Sequence, residues 1–321
     1  MFAKALSAFV AVYCAFAACF ASAQPYPNHV VRIILPYPPG GSLDSLGRLV
    51  FDRVSQSLGQ QFVIDYRPGA SGSIGTEVVA HAAPDGHTIL LNTLPFVVNP
   101  SLYKKLPYDT VKDFAPVSLL ASSPFVLVVH PSVPAKTVAE FIALAKQRPG
   151  KLNYSSAGIG TNLHVAAELF KNLTKTDIVH VPYKGGGAAL IATVGGEADL
   201  SFIGVQPALP HVQAGKLRAL GITSVKRSAS LPDLPTIGET VRGYEFSSWW
   251  GMLVPAATPP AIVQTLSDAI AKAMRAPDVA KRFEQDGVDV VASTPAEFAA
   301  SIKSDIARWA KVIRDNRIEP Q

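Results

Sequence analysis

Three glycine-rich stretches combine residue types suited to binding an anion. They read PYPPGGSLD (residues 36–44), SSAGIGTNLH (155–164) and PYKGGGAAL (182–190). Each follows an apolar, strand-like segment and leads into a helix-like one. There, free backbone N–H groups and the positive end of the helix dipole attract negative charge, and glycine lets a ligand approach the backbone closely. One such turn would more often be only a turn, but three predict a site for a small acid.

The candidate binding residues are loop positions with bare backbone, a hydroxyl, an aromatic ring or a basic side chain. They are Tyr37, Pro39, Gly40, Gly41, Ser42, Ala157, Gly158, Gly160, Thr161, His164, Tyr183 and Lys184. Two of them have a structural alternative: His164 could be packed and hydrogen-bonded, and Lys184 could be an exposed lysine. We interpret the nearby Asp44 as the N-cap of the helix that follows it.

Other chemistries find little support in the motifs. GIGTNLH resembles the start of a dinucleotide fingerprint, but the third glycine is missing and no acidic residue follows at a strand end. The seven histidines lack the spacing of metal ligands. Nucleophile elbows, HExxH and phosphate-binding P-loops do not occur. We therefore predict no metal, no cofactor and no enzymatic activity.

Composition restricts the class of protein further. The chain has 321 residues, 48% hydrophobic and 17% charged, which predicts a well-packed core and about two domains. The pI of about 9.1 comes from 29 basic against 24 acidic residues without a basic run. This pattern does not favour nucleic acid, whereas a mild positive excess suits an anionic small molecule.

The N-terminus predicts export. An uncharged apolar run over residues 5–20 precedes Ala21-Ser22-Ala23, so we predict a signal peptide (1–23) cleaved near Ala23 and a periplasmic protein. A lipoprotein signal at Cys19 is the alternative, although Phe16 matches it poorly. Cys14 and Cys19 both lie in this segment, so the mature protein should contain no disulfide.

The hydrophobic pattern predicts the strands and helices that position these loops. Strand-like and helix-like segments alternate from Val30 onward, which predicts doubly wound α/β sheets. A second series of alternating strands and helices begins near Pro124, and the C-terminal helices are expected to pack on the first series. We therefore expect two lobes, residues 24–123 with 225–321 and residues 124–224, each a mixed sheet flanked by helices.

Several helix boundaries are also expected. Thr137 with Glu140, and Thr294 with Glu297, have the spacing of capping boxes. Thr258 is expected as the N-cap of a helix that starts at a proline.

Aromatic and aliphatic residues near the C-terminus indicate packing. The last helix should dock one stripe on the first lobe's sheet: Phe298, Ile302, Ile306, Trp309 and Ile313. The adjacent Trp249 and Trp250 should point to opposite faces of a strand, so only one should face inward. Packing in the core or hinge is the default expectation for them, and a wall of the cleft is the alternative.

These loops and several further motifs resemble a known family. PYPPGGSLDSLGR, DYRPGASGSIGTEVVA, SSAGIGTNLHVAAELF and VPYKGGGAALIATVGGEADL are similar, in order, to the Bug family of periplasmic solute-binding proteins. These proteins are receptors of tripartite tricarboxylate transport systems. The resemblance implies a Venus-flytrap fold and a carboxylate held by the first two loops, largely through backbone groups and water. It also implies integral membrane permease subunits as partners, and we expect a monomer.

The resemblance leaves the ligand open. An amino acid would need an acidic partner for its ammonium, and FIGVQPALPH (202–211) contains none. We therefore expect a mono- or dicarboxylic acid without an amine, aromatic acids included. Two alternatives remain: a sensor subunit for a signalling kinase, and a hydrolase of a small acid ester.

Overall fold

The computed structural model describes residues 26–40, 42–227 and 231–315. The predicted signal peptide and Gly41 lie outside these residues, and so does the side chain of Ser42. Within the described part of the chain, no helix is long and apolar enough to cross a membrane.

The described chain contains ten strands and ten α-helices, which alternate over most of its length. The strands are β1 Val31–Leu35, β2 Phe62–Tyr66, β3 Thr88–Thr93, β4 Phe114–Val129, β5 Asn153–Ser156, β6 Val179–Pro182, β7 Leu200–Gly204, β8 Arg218–Ile222, β9 Ser247–Pro255 and β10 Asp289–Val290. The helices are α1 Ser42–Leu58, α2 Ser73–Ala80, α3 Pro95–Leu102, α4 Val138–Gln147, α5 Asn162–Thr174, α6 Gly186–Val194, α7 Val205–Gln213, α8 Pro260–Met274, α9 Pro277–Gln285 and α10 Pro295–Asp315. Short 3₁₀ turns occupy Ala70–Gly72 and Ile237–Glu239.

The strands form a mixed sheet in the order β2-β1-β3-β9-β4-β7-β5-β6, and β8 and β10 also pair with β4. β1 is parallel to β2 and β3, and β5 is parallel to β6 and β7. β9 runs antiparallel to β3 of the first group, and β4 runs antiparallel to β7 of the second group. The predicted α/β class is confirmed. In each group the carboxyl ends of the parallel strands lie at one edge, where ligands bind in such sheets.

The long strand β4 links the two groups. Its residues 114–124 pair with β9, and its residues 125–129 pair with β7 and β8. The second unit expected near Pro124 therefore begins inside a continuous strand. A strand shared in this way allows the two groups to move relative to each other only by bending or twisting β4 and its neighbours.

Helices cover both faces of the sheet, which corrects one expectation. Trp249 and Trp250 are both buried, because they point to opposite faces that are each covered. Trp249 packs edge-on against Phe298, and Trp250 packs edge-on against Phe283. Both tryptophans are therefore core residues.

The last helix docks as its pattern predicts. Its buried residues, Phe298, Ile302, Trp309 and Ile313, face the core, and Ile306 is partly buried. The capping box at its start is confirmed, because the Thr294 N–H donates to Glu297 Oε2 (2.8 Å) and the Glu297 N–H donates to Thr294 Oγ1 (3.3 Å).

Two other helix starts differ from expectation. At α4 the Glu140 N–H donates to Thr137 Oγ1, but the Glu140 carboxylate accepts from the Lys136 N–H, so the box is only half formed. The N-cap of α8 is Pro259 rather than Thr258. The reason is that a residue before a proline, here Pro260, is pushed into extended backbone and cannot join the helix.

Gly251 on β9 lies directly under the ring of Phe298. A Cβ there would lie 2.1 Å from Phe298 Cζ, so Gly251→Ala should overpack the core and lower the free energy of unfolding by about 2 kcal/mol. Urea unfolding measures the loss, and adding Phe298→Leu should recover part of it. An unfolding midpoint equal to that of the wild-type protein would contradict this account of the contact.

Candidate functional site

An acidic side chain holds the first loop. Asp44 Oδ2 accepts from the Gly40 N–H (2.8 Å), and Asp44 Oδ1 accepts from the Tyr66 hydroxyl (2.6 Å) and from Arg48 Nε (3.0 Å). Because α1 begins at Ser42, Asp44 stands in its first turn and not at its N-cap, so the N-cap expectation was wrong. Its carboxylate nevertheless fixes the loop. Burial raises the pKa of Asp44, but the bonds from Tyr66, Gly40 and Arg48 outweigh burial and lower it.

Removal of this carboxylate should loosen the loop. Asp44→Ala leaves the Gly40 N–H and the Tyr66 hydroxyl without their acceptor, so we expect a loss of about 2 kcal/mol in the free energy of unfolding. Urea unfolding measures it. Asp52→Ala, at an exposed position of the same helix, is the matched control and should change stability by less than about 0.5 kcal/mol. Equal losses in the two variants would refute the role of Asp44.

The second loop is braced by its own side chains. The Gly158 N–H donates to Ser156 Oγ (3.0 Å), and the Gly160 N–H donates to His164 Nδ1 (3.3 Å). The Thr161 hydroxyl donates to the Gly158 carbonyl (2.7 Å). Both glycines have positive φ angles, 117° and 79°, which favour glycine over residues with a Cβ.

Two neighbouring imidazoles, tilted relative to each other, contact this loop. His164 is 5% exposed, and its ring centre lies 4.5 Å from that of His180. His180 stacks on Tyr154 (4.8 Å) and its Nε2 contacts Ser156 Oγ (2.6 Å). Burial lowers the pKa of each histidine to about 4, and for His164 the neighbouring His180 adds to the effect. His164 is therefore neutral near pH 7, with Nδ1 as an acceptor.

The third loop is joined to the second. The Tyr183 N–H donates to the Ser156 carbonyl (2.8 Å), and the Gly185 N–H donates to the Tyr183 carbonyl (3.0 Å). Lys184 is exposed between them, and α6 begins at Gly186. Of the remaining candidates, Pro39 is exposed and Ala157 is partly buried.

Several of the loop glycines face open space. A methyl group built on any of five of them would meet no described atom within 4 Å, apart from the adjacent residues and the backbone of the same helix: Gly40, Gly158, Gly185, Gly186 and Gly187. Gly160 is different, because its Cβ would lie 2.4 Å from Leu102 Cδ2. Gly160 therefore serves close packing, whereas no packed neighbour explains the other five glycines.

The loop glycines do not supply the donors that their sequence suggests. The N–H groups of Gly40, Gly158, Gly160 and Gly185 all donate to acceptors within the protein. The glycines thus shape the loops. The donors that suit an anion are instead the first-turn N–H groups of α1, α5 and α6, which have no acceptor within their own helix.

A fourth glycine-rich turn, Ala70–Gly72, was not selected from the sequence. The Ser71 hydroxyl donates to the Ile159 carbonyl of the second loop (2.6 Å). The same turn lies against Tyr37, whose hydroxyl donates to Asn92 Oδ1 (3.0 Å). This turn therefore connects the first and second loops. The sequence contained a signal for this turn, because the turn stands between a strand and a helix, as the first three loops do.

A cluster of neutral polar side chains was also missed. Asn162 Nδ2 donates to Ser248 Oγ (2.8 Å) and to Thr93 Oγ1 (3.3 Å), and these two hydroxyls contact each other (2.9 Å). The three residues come from α5, β9 and β3, so no local pattern could unite them. Across the residues that the structure describes, no group of three His, Cys, Asp or Glu side chains could hold a metal ion.

The fold and the site together define a class of protein. Two α/β groups of strands share β4, and glycine-rich strand-to-helix loops occur in both groups. The Ser71–Ile159 bond connects loops of the two groups. This arrangement is typical of a solute-binding receptor for a small anion.

Comparison with known proteins identifies the family. The chain belongs to the tripartite tricarboxylate transporter family of receptors, TctC, whose family profile matches residues 46–318. It is a periplasmic binding receptor and not an enzyme, as the sequence predicted.

Individual relatives agree with this assignment. Protein BugT of Bordetella pertussis is 36% identical over 299 residues, 92% of this chain and 91% of that protein. The structure of Rpa4515 from R. palustris, solved with adipate, is 35% identical, with a TM-score of 0.87 over 92% of this chain and 100% of that one. MatC from Rhodopseudomonas palustris, solved with bound malate, is 33% identical, with a TM-score of 0.84 over 90% and 100%.

Proposed function

We propose that this protein captures a small organic acid without an amine between two lobes and delivers it to the membrane permease of a tripartite tricarboxylate transport system. The observation that carries the proposal is the position of the uncrowded glycines Gly40, Gly158 and Gly185–Gly187 beside the starts of α1, α5 and α6, where first-turn N–H groups are available to an anion. Relatives solved with adipate and with malate support an acid as the ligand.

The lobes in this proposal are residues 24–123 with 225–321 and residues 124–224. The change of pairing partner along β4, between Pro124 and Phe125, supports the first crossing. The second crossing, proposed near residue 225, is supported by the segment between β8, which ends at Ile222, and β9, which begins at Ser247. Closure of the lobes would then bring the first loop and the Ala70–Gly72 turn against the second and third loops.

In this proposal one carboxylate lies between the first and second loops, near the starts of α1 and α5. Its contacts come from the first-turn N–H groups of α1 and α5. The Thr161 hydroxyl joins them only by giving up its bond to the Gly158 carbonyl (2.7 Å). The far end of the acid points toward Tyr183, Lys184 and the start of α6, where Lys184 offers a cation. His164 acts beneath the loop, because its Nδ1 accepts from Gly160 and not from a ligand.

The absence of an amine from the ligand follows from the charges of these loops. A buried ammonium requires a carboxylate partner. The acidic side chain of the first loop, Asp44, already accepts from Gly40, Tyr66 and Arg48. An acid that carries only carboxylate, hydroxyl or apolar groups avoids this cost.

The proposed route to the periplasm is the predicted signal peptide, cleaved near Ala23, and the proposed partners are integral permease subunits. We expect the mature receptor to work as a monomer.

Calorimetry on the mature protein (residues 24–321) tests the proposed ligand class. The panel is adipate, malate, citrate, benzoate, nicotinate, aspartate and glutamate at one pH and ionic strength. We expect an amine-free acid to bind most tightly. Tightest binding by aspartate or glutamate would overturn the proposed class, and mass spectrometry of the small molecule that co-purifies provides an independent answer.

A further inference from the structure

The turn that joins the first two loops has unusual backbone geometry. Four consecutive residues have positive φ angles: Gly69 (136°), Ala70 (44°), Ser71 (49°) and Gly72 (88°). For Ala70 and Ser71 this left-handed conformation is unfavourable, because Cβ approaches the backbone. Such residues persist where surrounding contacts hold them, often at functional sites.

The contacts that hold this turn reach the second loop. The Ser71 hydroxyl donates to the Ile159 carbonyl (2.6 Å), between the two loop glycines. The Ser71 carbonyl accepts from Asn99 Nδ2 (3.1 Å), and Asn99 is only 1% exposed. Gly160 lies so close that a Cβ there would stand 3.4 Å from Ser71 Oγ. The Ser71 hydroxyl, in a turn that the buried Asn99 holds, thus donates to a carbonyl 88 residues further along the chain.

We propose that Ser71 is a positioning residue for the carboxylate-binding loop, residues 156–161, and that it holds this loop against the opposite lobe when the receptor closes. The inference rests on the proposed function, since the proposed division places Ser71 and Ile159 on different lobes. Ser71 does not bind the acid, because its hydroxyl proton is donated to Ile159. It sets the fraction of molecules whose second loop already occupies the binding position.

The expected effect follows from that fraction. The apparent affinity of a ligand falls in proportion to the population of the binding-competent state. One neutral hydrogen bond contributes about fivefold to such an equilibrium. Ser71→Ala keeps the turn but removes the donor, so it should weaken acid binding about fivefold and shift the ligand-free receptor toward open forms.

The test measures the distance between the lobes as well as affinity. The mature chain has no cysteine, so Val78→Cys on α2 and Leu173→Cys on α5, both partly exposed, can carry spin labels. Pulsed electron resonance then gives the distance distribution with and without adipate as the probe, and calorimetry gives its Kd. Ala70→Gly, in the same turn but without the cross-lobe bond, is the matched control.

For Ser71→Ala we expect a longer and broader ligand-free distance distribution, a Kd for adipate raised about fivefold and an unchanged melting temperature. Ala70→Gly should keep both the distances and the Kd of the wild-type protein. Wild-type distances in Ser71→Ala would overturn the proposal, whether or not its melting temperature falls. If the wild-type protein binds no adipate, the choice of ligand fails separately, and the ligand-free distances still decide the role of Ser71.

Discussion

Gly160→Ala is expected to weaken binding of the acid by about a hundredfold. An alanine at φ 79° is strained by about 1–2 kcal/mol, and its Cβ would stand 2.4 Å from Leu102 Cδ2. The variant can relieve both by moving the second loop away from α3. Binding must then restore the strained position, and a total of about 3 kcal/mol corresponds to the hundredfold loss. Calorimetry with the acid that binds best measures it.

Two further variants separate the clash from the backbone strain. Gly215→Ala has a similar φ angle, 68°, but its Cβ meets no described atom within 4 Å. It should lower the free energy of unfolding by about 1 kcal/mol and leave the affinity unchanged. Leu102→Ala, added to Gly160→Ala, makes room for the new methyl group and should recover part of the affinity. Wild-type affinity in Gly160→Ala would show that the loop does not need its observed position.

The second large effect is an acid-sensitive stability. We expect the free energy of unfolding to fall by about 3 kcal/mol between pH 6.5 and pH 4 because of His164, with a further contribution from His180. The pKa of His164 is lowered from 6.5 to about 4, first by burial and then by the neighbouring His180. A shift of this size corresponds to about 3 kcal/mol. His180 adds less, because its ring is only partly buried.

The direction of the effect follows from proton binding. Between pH 6.5 and pH 4 the unfolded chain binds a proton at His164 that the folded protein does not bind, so stability rises with pH. The contribution is complete above pH 6.5 and is lost as the pH falls through about 4. The charged groups near the imidazoles oppose each other, since Glu168 favours and Lys171 disfavours protonation.

Urea unfolding across this pH range measures the effect in the wild-type protein and in His164→Asn. Asparagine keeps an acceptor near the position of Nδ1 for the Gly160 N–H but does not titrate, so the variant should show a flatter pH dependence. His81→Asn, at an exposed position after α2, is the control and should keep the wild-type slope. An unchanged slope in His164→Asn would contradict the assignment.

Local chemistry made much of the fold predictable. The strand and helix alternation follows from hydrophobic periodicity, and the stop of α1 before Gly59 follows from a left-handed glycine (φ 69°). The capping box of Thr294 and Glu297 was likewise predictable, because its two residues lie within one helical turn of each other. Where a neighbouring proline or a covered second face intervened, as at Thr258 and Trp250, the expectation was wrong.

The amino-acid sequence by itself determined where the loops would lie, what residue types they would present and which family the chain resembles, since these depend on neighbours a few residues apart. Only the tertiary structure decided which atoms the N–H groups and hydroxyls of each loop contact. The loop glycine N–H groups turned inward to Asp44, Ser156 and His164, and Ser71 met Ile159 across 88 residues. Such pairs arise because packing of the sheet and helices brings distant segments together, and a hydrogen bond is directional and forms only where that packing leaves its two atoms within reach.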